Sequence, residues 1–114
     1  MSEPFFEFFC PVKIVAGAAA LEHVPYELAS IGATKPLVIT DKGVRAAGLL
    51  DVVLGALVTA AVEFPPVYDD VPPDSGTDVV AAIARVYRGR GCDSLIALGG
   101  GSVIDTAKAV NVLV

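Results

Sequence analysis

The residues with the clearest chemical potential are Gly99-Gly100-Gly101-Ser102, which follow the apolar run Leu95-Ile-Ala-Leu98 and open a stretch with helical character. Glycine has no Cβ, so an anion can approach its backbone closely, and a turn can take positive φ there without strain. The first N–H groups of a following helix have no intrahelical acceptor and lie at the positive end of its dipole. That combination suits a phosphate. A ligand-free account also exists: a tight strand-to-helix turn capped by Ser102, with Asp105 completing a capping box. The box explains Ser102 and Asp105, but not a run of glycines that costs conformational entropy.

Two common phosphate motifs do not fit this loop. No Gly-Lys-Ser/Thr follows, and Ile104 stands where Gly-x-Gly-x-x-Gly needs its third glycine. No acid lies ~20 residues downstream in a second strand, where that fingerprint places one. An acid does lie upstream. Asp41 closes the apolar run Pro36-Leu-Val-Ile-Thr40 and is followed by Lys42-Gly43. It can accept both hydroxyls of an adenosine ribose while the glycine loop holds a pyrophosphate. A helix N-cap or turn role for Asp41 is an equal alternative on spacing alone.

The elements that must position these groups alternate along the chain. Val12 to Ala16 reads as a short strand turning at Gly17. A helix follows, with Pro25 in its first turn and Gly32 as its stop. Pro36 to Thr40 has the continuous apolar character of a strand buried on both faces. Leu49 to Ala61 reads as helix, weakened by Gly55. Val62 to Val67 is a strand that Pro65 and Pro66 push toward an edge. After a Pro-rich loop from Val71 to Gly76, Ser75 or Thr77 caps a helix. Val79, Val80, Ile83, Val86 and Tyr87 form its apolar stripe, Asp78, Arg85 and Arg88 its wet side, and Gly89 and Gly91 its end. Leu95 to Leu98 is the clearest buried strand, and a last helix follows the glycines. Alternation with short loops predicts an α/β fold with a Rossmann-like parallel sheet, which binds ligands at the carboxyl ends of its strands. Asp41 and the glycine loop both fall there.

Composition bounds the rest. The 114 residues are 54% apolar and 18% charged, with a net charge of −5 and no Trp. Such a chain can bury roughly 65% of its unfolded surface in one domain. It is too apolar for disorder and lacks a fibrous repeat. Arg85, Arg88 and Arg90 form its one basic cluster, so nucleic acid is not an expected partner. The run from Val52 to Val62 falls short of the ~20 residues of a membrane span, and an acidic Met1-Ser2-Glu3-Pro4 is no signal peptide. Cys10 and Cys92 match no metal or disulfide spacing, so free thiols and a cytoplasmic location are expected. His23, the single histidine, fits a surface or helix-entry role. Tyr26, Tyr68 and Tyr87 read as partly buried packing residues.

From about Phe9 onward the chain resembles the N-terminal part of the iron-containing, or group III, alcohol dehydrogenases. The matching segments are Pro11-Val-Lys-Ile-Val-Ala-Gly17, Leu37-Val-Ile-Thr-Asp-Lys-Gly43 and, most specifically, Gly91-Cys-Asp-Ser-Leu-Ile-Ala-Leu-Gly-Gly-Gly-Ser-Val-Ile-Asp-Thr-Ala-Lys108. The resemblance implies that Gly99, Gly100, Gly101 and Ser102 bind the pyrophosphate of NAD(P) and that Asp41 contacts the adenosine ribose. An acid there would repel a 2′-phosphate, so NAD is expected over NADP. Asp105 and Lys108 match the family's Asp-x-x-Lys, which faces the nicotinamide side. For Asp105 the capping box stands as a co-equal role, and for Lys108 an exposed helix position is an equal alternative. Asp74-Ser75-Gly76 departs from the family's Asn/Asp-Pro-Thr, which weakens any cofactor role for Asp74.

In that family one Asp and three His hold Fe2+ or another divalent metal, largely in an all-helical second domain. No such ligand set is read in this chain, nor is a Ser-His-Asp set, a Cys-His pair or a Tyr-x-x-x-Lys relay. Residues 1–114 are therefore expected to be a truncated dinucleotide-binding domain, with no catalytic or metal residue of its own and no turnover in isolation. The parent protein is expected to interconvert an alcohol and an aldehyde or ketone by metal-assisted hydride transfer. A hydroxyacid–oxoacid transhydrogenase, a glycerol-type dehydrogenase, a non-catalytic nucleotide-binding module and a flavodoxin-like domain are the alternatives. Apolar surface left for a second domain makes self-association, including a homo-oligomer, an expectation.

Overall fold

The computed structural model describes residues 16–17, 19–73 and 76–114. The strand expected over Val12 to Ala16 lies, apart from Ala16, outside the described residues, as do Cys10, Asp74 and Ser75. A 3₁₀ turn, Ala20–His23, leads into α1 (Val24–Ser30), which carries Pro25 in its first turn. Then come β1 (Pro36–Ile39), a short α2 (Lys42–Ala46), α3 (Leu49–Thr59), β2 (Val67–Tyr68), α4 (Thr77–Gly89), β3 (Ser94–Ala97) and α5 (Gly101–Leu113).

The three described strands form one parallel sheet in the order β2-β1-β3, with Val38 opposite Val67 and Ile96, and Ile39 opposite Tyr68 and Ala97. All four residues of β1 are buried, as expected of a strand with a neighbour on each side. One side of the sheet packs Leu37, Ile39, Ile83, Val103 and Val110 against α4 and α5. Leu28, Val53 and Leu57 of α1 and α3 form the other core, joined by Ile96 and Leu98. Helices flank the sheet on both sides, which is the α/β architecture expected, and α4 keeps its stripe, with Ile83 buried and Asp78, Arg85 and Arg88 exposed.

Several local expectations are corrected. The strand expected over Val62 to Val67 shrinks to Val67–Tyr68, because prolines have no N–H to give a ladder. Pro66 still accepts from the Val38 N–H at 3.0 Å. β3 is half-buried rather than buried, and Ala97 is exposed, because β1 is its only partner among the described strands. Thr77 does not cap α4, because it is already helical and the N-cap is Gly76, without a side-chain bond, while Ser75, the other expected cap, lies outside the described residues. Tyr26 is 62% exposed rather than packed, its ring lying 5.0 Å from that of His23. Tyr68 and Tyr87 do pack against the core. His23 stands at the entry to α1, 3.7 Å from Glu27.

Three helices end in the same way. After α1, α3 and α4, the residue beyond the C-cap takes positive φ, and two backbone bonds close the turn: Ala33 N to Leu28 O at 2.9 Å, Val62 N to Leu57 O at 2.9 Å, and Cys92 N to Tyr87 O at 3.0 Å mark the wider one. Gly32 and Gly91 occupy that position in two of them, and Ala61, at φ +60°, in the third.

Candidate functional site

The sheet brings together the two sequence features that could bind an anion and a sugar. Asp41, Lys42 and Gly43 after β1, Val71 and Pro73 after β2, and Gly100, Gly101, Ser102 and Val103 after β3 line one groove of about 390 Å³ at the carboxyl end of the strands. Parallel register places the ends of β1, β2 and β3 side by side, so the groove follows from the topology.

Each wall has a local cause. Thr40 is fully buried, and its hydroxyl donates to the Leu98 carbonyl at 2.6 Å, joining the residues just before Asp41 and Gly99. Asp41 is the N-cap of α2, accepting the Val44 N–H through Oδ1 at 2.8 Å. This is the alternative role read from its spacing, and it occupies one carboxylate oxygen. Asp41 also lines the groove, so the cap and a ligand contact are compatible.

The glycines divide by what holds them. At Gly99, φ is +158°, and a Cβ would meet Val103 Cγ2 at 2.7 Å, so close strand-to-helix packing requires a glycine there. Gly100 and Gly101 have no such constraint: a Cβ on either would meet nothing within 4 Å. Both line the groove. Gly100 stands at the N-cap of α5, a position that suits glycine. Nothing within the described protein accounts for glycine at Gly101, whereas a ligand lying against the backbone would.

The capping box expected of Ser102 and Asp105 does not form. Gly100 is the N-cap of α5, with no side-chain bond, and Ser102 lies within the helix. The helix begins ahead of Ser102, so the hydroxyl instead donates to the Pro73 carbonyl at 2.5 Å and ties the Pro-rich loop to the groove. No capping side chain therefore covers the first N–H groups of α5. Asp105 and Lys108 are exposed on α5 and do not line the groove. Lys108 borders a separate depression with Ile31, Asp93, Ala97 and Asn111.

Sequence reasoning missed the charges beside Asp41. Asp69, directly after β2, pairs with Lys42 at 3.3 Å and with Arg45 at shorter range. The Arg45 guanidinium, followed in effect by the opposing cost of burial, holds the Asp69 carboxyl below the ordinary range. The signal was present: an acid pair, Asp69-Asp70, closes a strand parallel to the one that Asp41-Lys42 closes. At the opposite end of the sheet, Asp93 accepts the backbone N–H groups of Thr34 and Lys35, each at 2.9 Å. Those bonds hold its carboxyl at a pKa of about 2. Burial raises the Cys92 thiol, a free cysteine.

Among the described residues, no three His, Cys, Asp or Glu side chains converge on a metal position. No helix among them is long and apolar enough to cross a membrane.

Comparison with known proteins agrees with this architecture. Choline dehydrogenase of Bacillus subtilis (strain 168) is 36% identical over 110 residues, spanning 96% of this chain and 27% of the relative. The 4-hydroxybutyrate dehydrogenase of Cupriavidus necator is 37% identical over 109 residues, with the same two coverages. Among solved structures, NADH-dependent butanol dehydrogenase A of Thermotoga maritima superposes with a TM-score of 0.86 at 29% identity, covering 93% of this chain and 27% of its own. This chain thus spans about a quarter of the length of the relatives it matches. The family model for iron-containing alcohol dehydrogenase matches residues 11–114, and the chain belongs to that family.

Proposed function

We propose that this chain is the dinucleotide-binding part of an NAD(H)-dependent oxidoreductase that interconverts an alcohol and an aldehyde or ketone. The observation that carries the reading is the groove at Gly100 and Gly101, where a missing Cβ leaves the backbone open and no packing demands glycine. The pyrophosphate lies against these glycines and Ser102, facing the uncapped first turn of α5, whose N–H groups and dipole favour an anion. Gly99 contributes by letting α5 approach β3. Asp41 receives the adenosine ribose hydroxyls on the carboxylate oxygen its N-cap bond leaves over, and its charge disfavours a 2′-phosphate.

Asp105 and Lys108 lie further along α5, outside the groove, and the match to Asp-x-x-Lys supports placing them toward the nicotinamide end of an extended cofactor. The relatives named above act on choline, 4-hydroxybutyrate and butanol by their names, which supports the reaction class and selects no substrate. The family's divalent metal does not fit the described residues, which offer no converging ligand set.

The test is titration of the full encoded protein with NADH, followed by nicotinamide fluorescence. Saturable binding that is lost in Gly101→Ala is the expected result. Unchanged binding in that variant would remove the pyrophosphate assignment.

A further inference from the structure

Beside the ribose-binding acid stands a basic pair whose charge is already engaged. Lys42 follows Asp41 directly and lines the groove, while Arg45 lies one turn further along α2. Left alone, two cations beside a ribose site would attract a 2′-phosphate and oppose the preference set by Asp41. They are not left alone. The β1–β2 register sets Ile39 opposite Tyr68, so Asp41 and Asp69 leave the same end of neighbouring strands. The Thr40 N–H to Tyr68 carbonyl bond, at 2.8 Å, fixes that juxtaposition one residue before each acid. Asp69 takes Lys42 on Oδ1 and Arg45 on Oδ2, and its own side chain is only 21% exposed. One carboxylate therefore holds both cations on the β2 side of α2.

We propose that Asp69 is a specificity-determining positioning residue, which engages Lys42 and Arg45 in ion pairs, competes with a 2′-phosphate for them and so favours a dinucleotide with an unphosphorylated 2′-hydroxyl. Asp41 supplies the repulsion toward a 2′-phosphate, and Asp69 withholds the attraction. The inference rests on the placement of the adenosine ribose at Asp41. Exposed ion pairs contribute little to stability, so the effect belongs to ligand choice rather than to folding.

The experiment compares NADH and NADPH affinities, by fluorescence titration of the full encoded protein, for wild type, Asp69→Asn, Asp41→Gly and the triple variant Asp69→Asn/Lys42→Gln/Arg45→Gln. Asp69→Asn is expected to improve NADPH binding relative to NADH about fivefold to tenfold, the scale of one gained hydrogen bond in solvent-screened surroundings. The triple variant is expected to return to the wild-type ratio, which a merely structural role of Asp69 would not produce. If Asp41→Gly shifts the ratio while Asp69→Asn, still folded by thermal melt, does not, the positioning role falls and the ribose assignment stands. If the triple variant keeps the NADPH gain, the freed cations are not its cause and the proposal falls. If wild type binds neither dinucleotide, the functional reading falls and takes this one with it.

Discussion

The Thr40 hydroxyl donates to the Leu98 carbonyl at 2.6 Å across two parallel strands, one residue before each of the loops that line the groove. Thr40 is fully buried, so its hydroxyl cannot turn to water instead. Valine at this position keeps the β-branched shape and removes the donor. Thr40→Val is expected to lower stability by about 1 kcal/mol, the net contribution of one hydrogen bond. Thr40→Ser, which keeps the hydroxyl, is expected to lose less. Urea denaturation of the two variants separates the hydrogen bond from packing, and equal losses would show that the hydroxyl contributes nothing.

The glycine loop makes a prediction in which stability and binding part company. Gly99→Ala puts a methyl 2.7 Å from Val103 Cγ2, on a helix whose Val103 is itself buried. It is expected to cost about 1–3 kcal/mol through overpacking. Gly101→Ala adds a methyl in open space at a helical position, where alanine is the better helix former by about 1 kcal/mol. That variant is expected to be as stable as wild type or more so, while NADH binding falls. Denaturant midpoints set beside NADH titrations of both variants check this, and a Gly101→Ala protein that binds normally would leave its glycine unexplained by a ligand.

How far the sequence reached depends on whether the controlling interaction was local. Pro36 to Thr40 and the stripe of α4 are written in short-range hydropathy, and they appear where that pattern puts them. The Ser102–Asp105 capping box was also a local inference, and it failed because the helix starts earlier than the pattern implies, with Gly100 as its N-cap. The Ser102 hydroxyl is left inside the first turn, where it donates to the long-range Pro73 carbonyl. β3 reads as buried from composition, yet its exposure depends on what lies on its far side, which no window of residues reports. Asp69 went unnoticed because its partners stand 24 and 27 positions away. Gly99, Gly100 and Gly101 look alike in sequence, and only the position of α5 distinguishes a glycine needed for packing from two that packing leaves free.

Acid stability should carry the signature of Asp93. Its carboxylate accepts the Thr34 and Lys35 N–H groups, and its pKa falls from 3.8 to about 2 in the folded chain. A carboxyl depressed on folding contributes stability that is fully present above its unfolded pKa and disappears as pH falls through its folded value. The window here is therefore about pH 4 down to about pH 2. Asp93→Asn is expected to flatten the pH dependence of the denaturation midpoint within that window and to leave its slope above it unchanged. Identical slopes for wild type and variant between these limits would contradict the bonding at the start of β1.

The third helix end carries the wrong residue for its geometry. Ala61 sits at φ +60°, in the position that Gly32 and Gly91 fill after α1 and α4. Its turn is otherwise complete, with Ala61 N bonded to Val58 O at 3.0 Å and Val62 N to Leu57 O at 2.9 Å. An L-residue in that region crowds its Cβ against the carbonyl that follows, at a cost of about 1–2 kcal/mol. Glycine removes the crowding but adds freedom to the unfolded chain, which offsets part of the gain. Ala61→Gly is therefore expected to stabilise the protein by about 0.5–1 kcal/mol, against the usual direction of an alanine-to-glycine change. Ala56→Gly, inside α3, supplies the contrast: helix propensity alone predicts a loss of about 1 kcal/mol there. Thermal melts of the two variants should move in opposite directions, and a lower melting temperature for Ala61→Gly would show that α3 does not end through a left-handed residue.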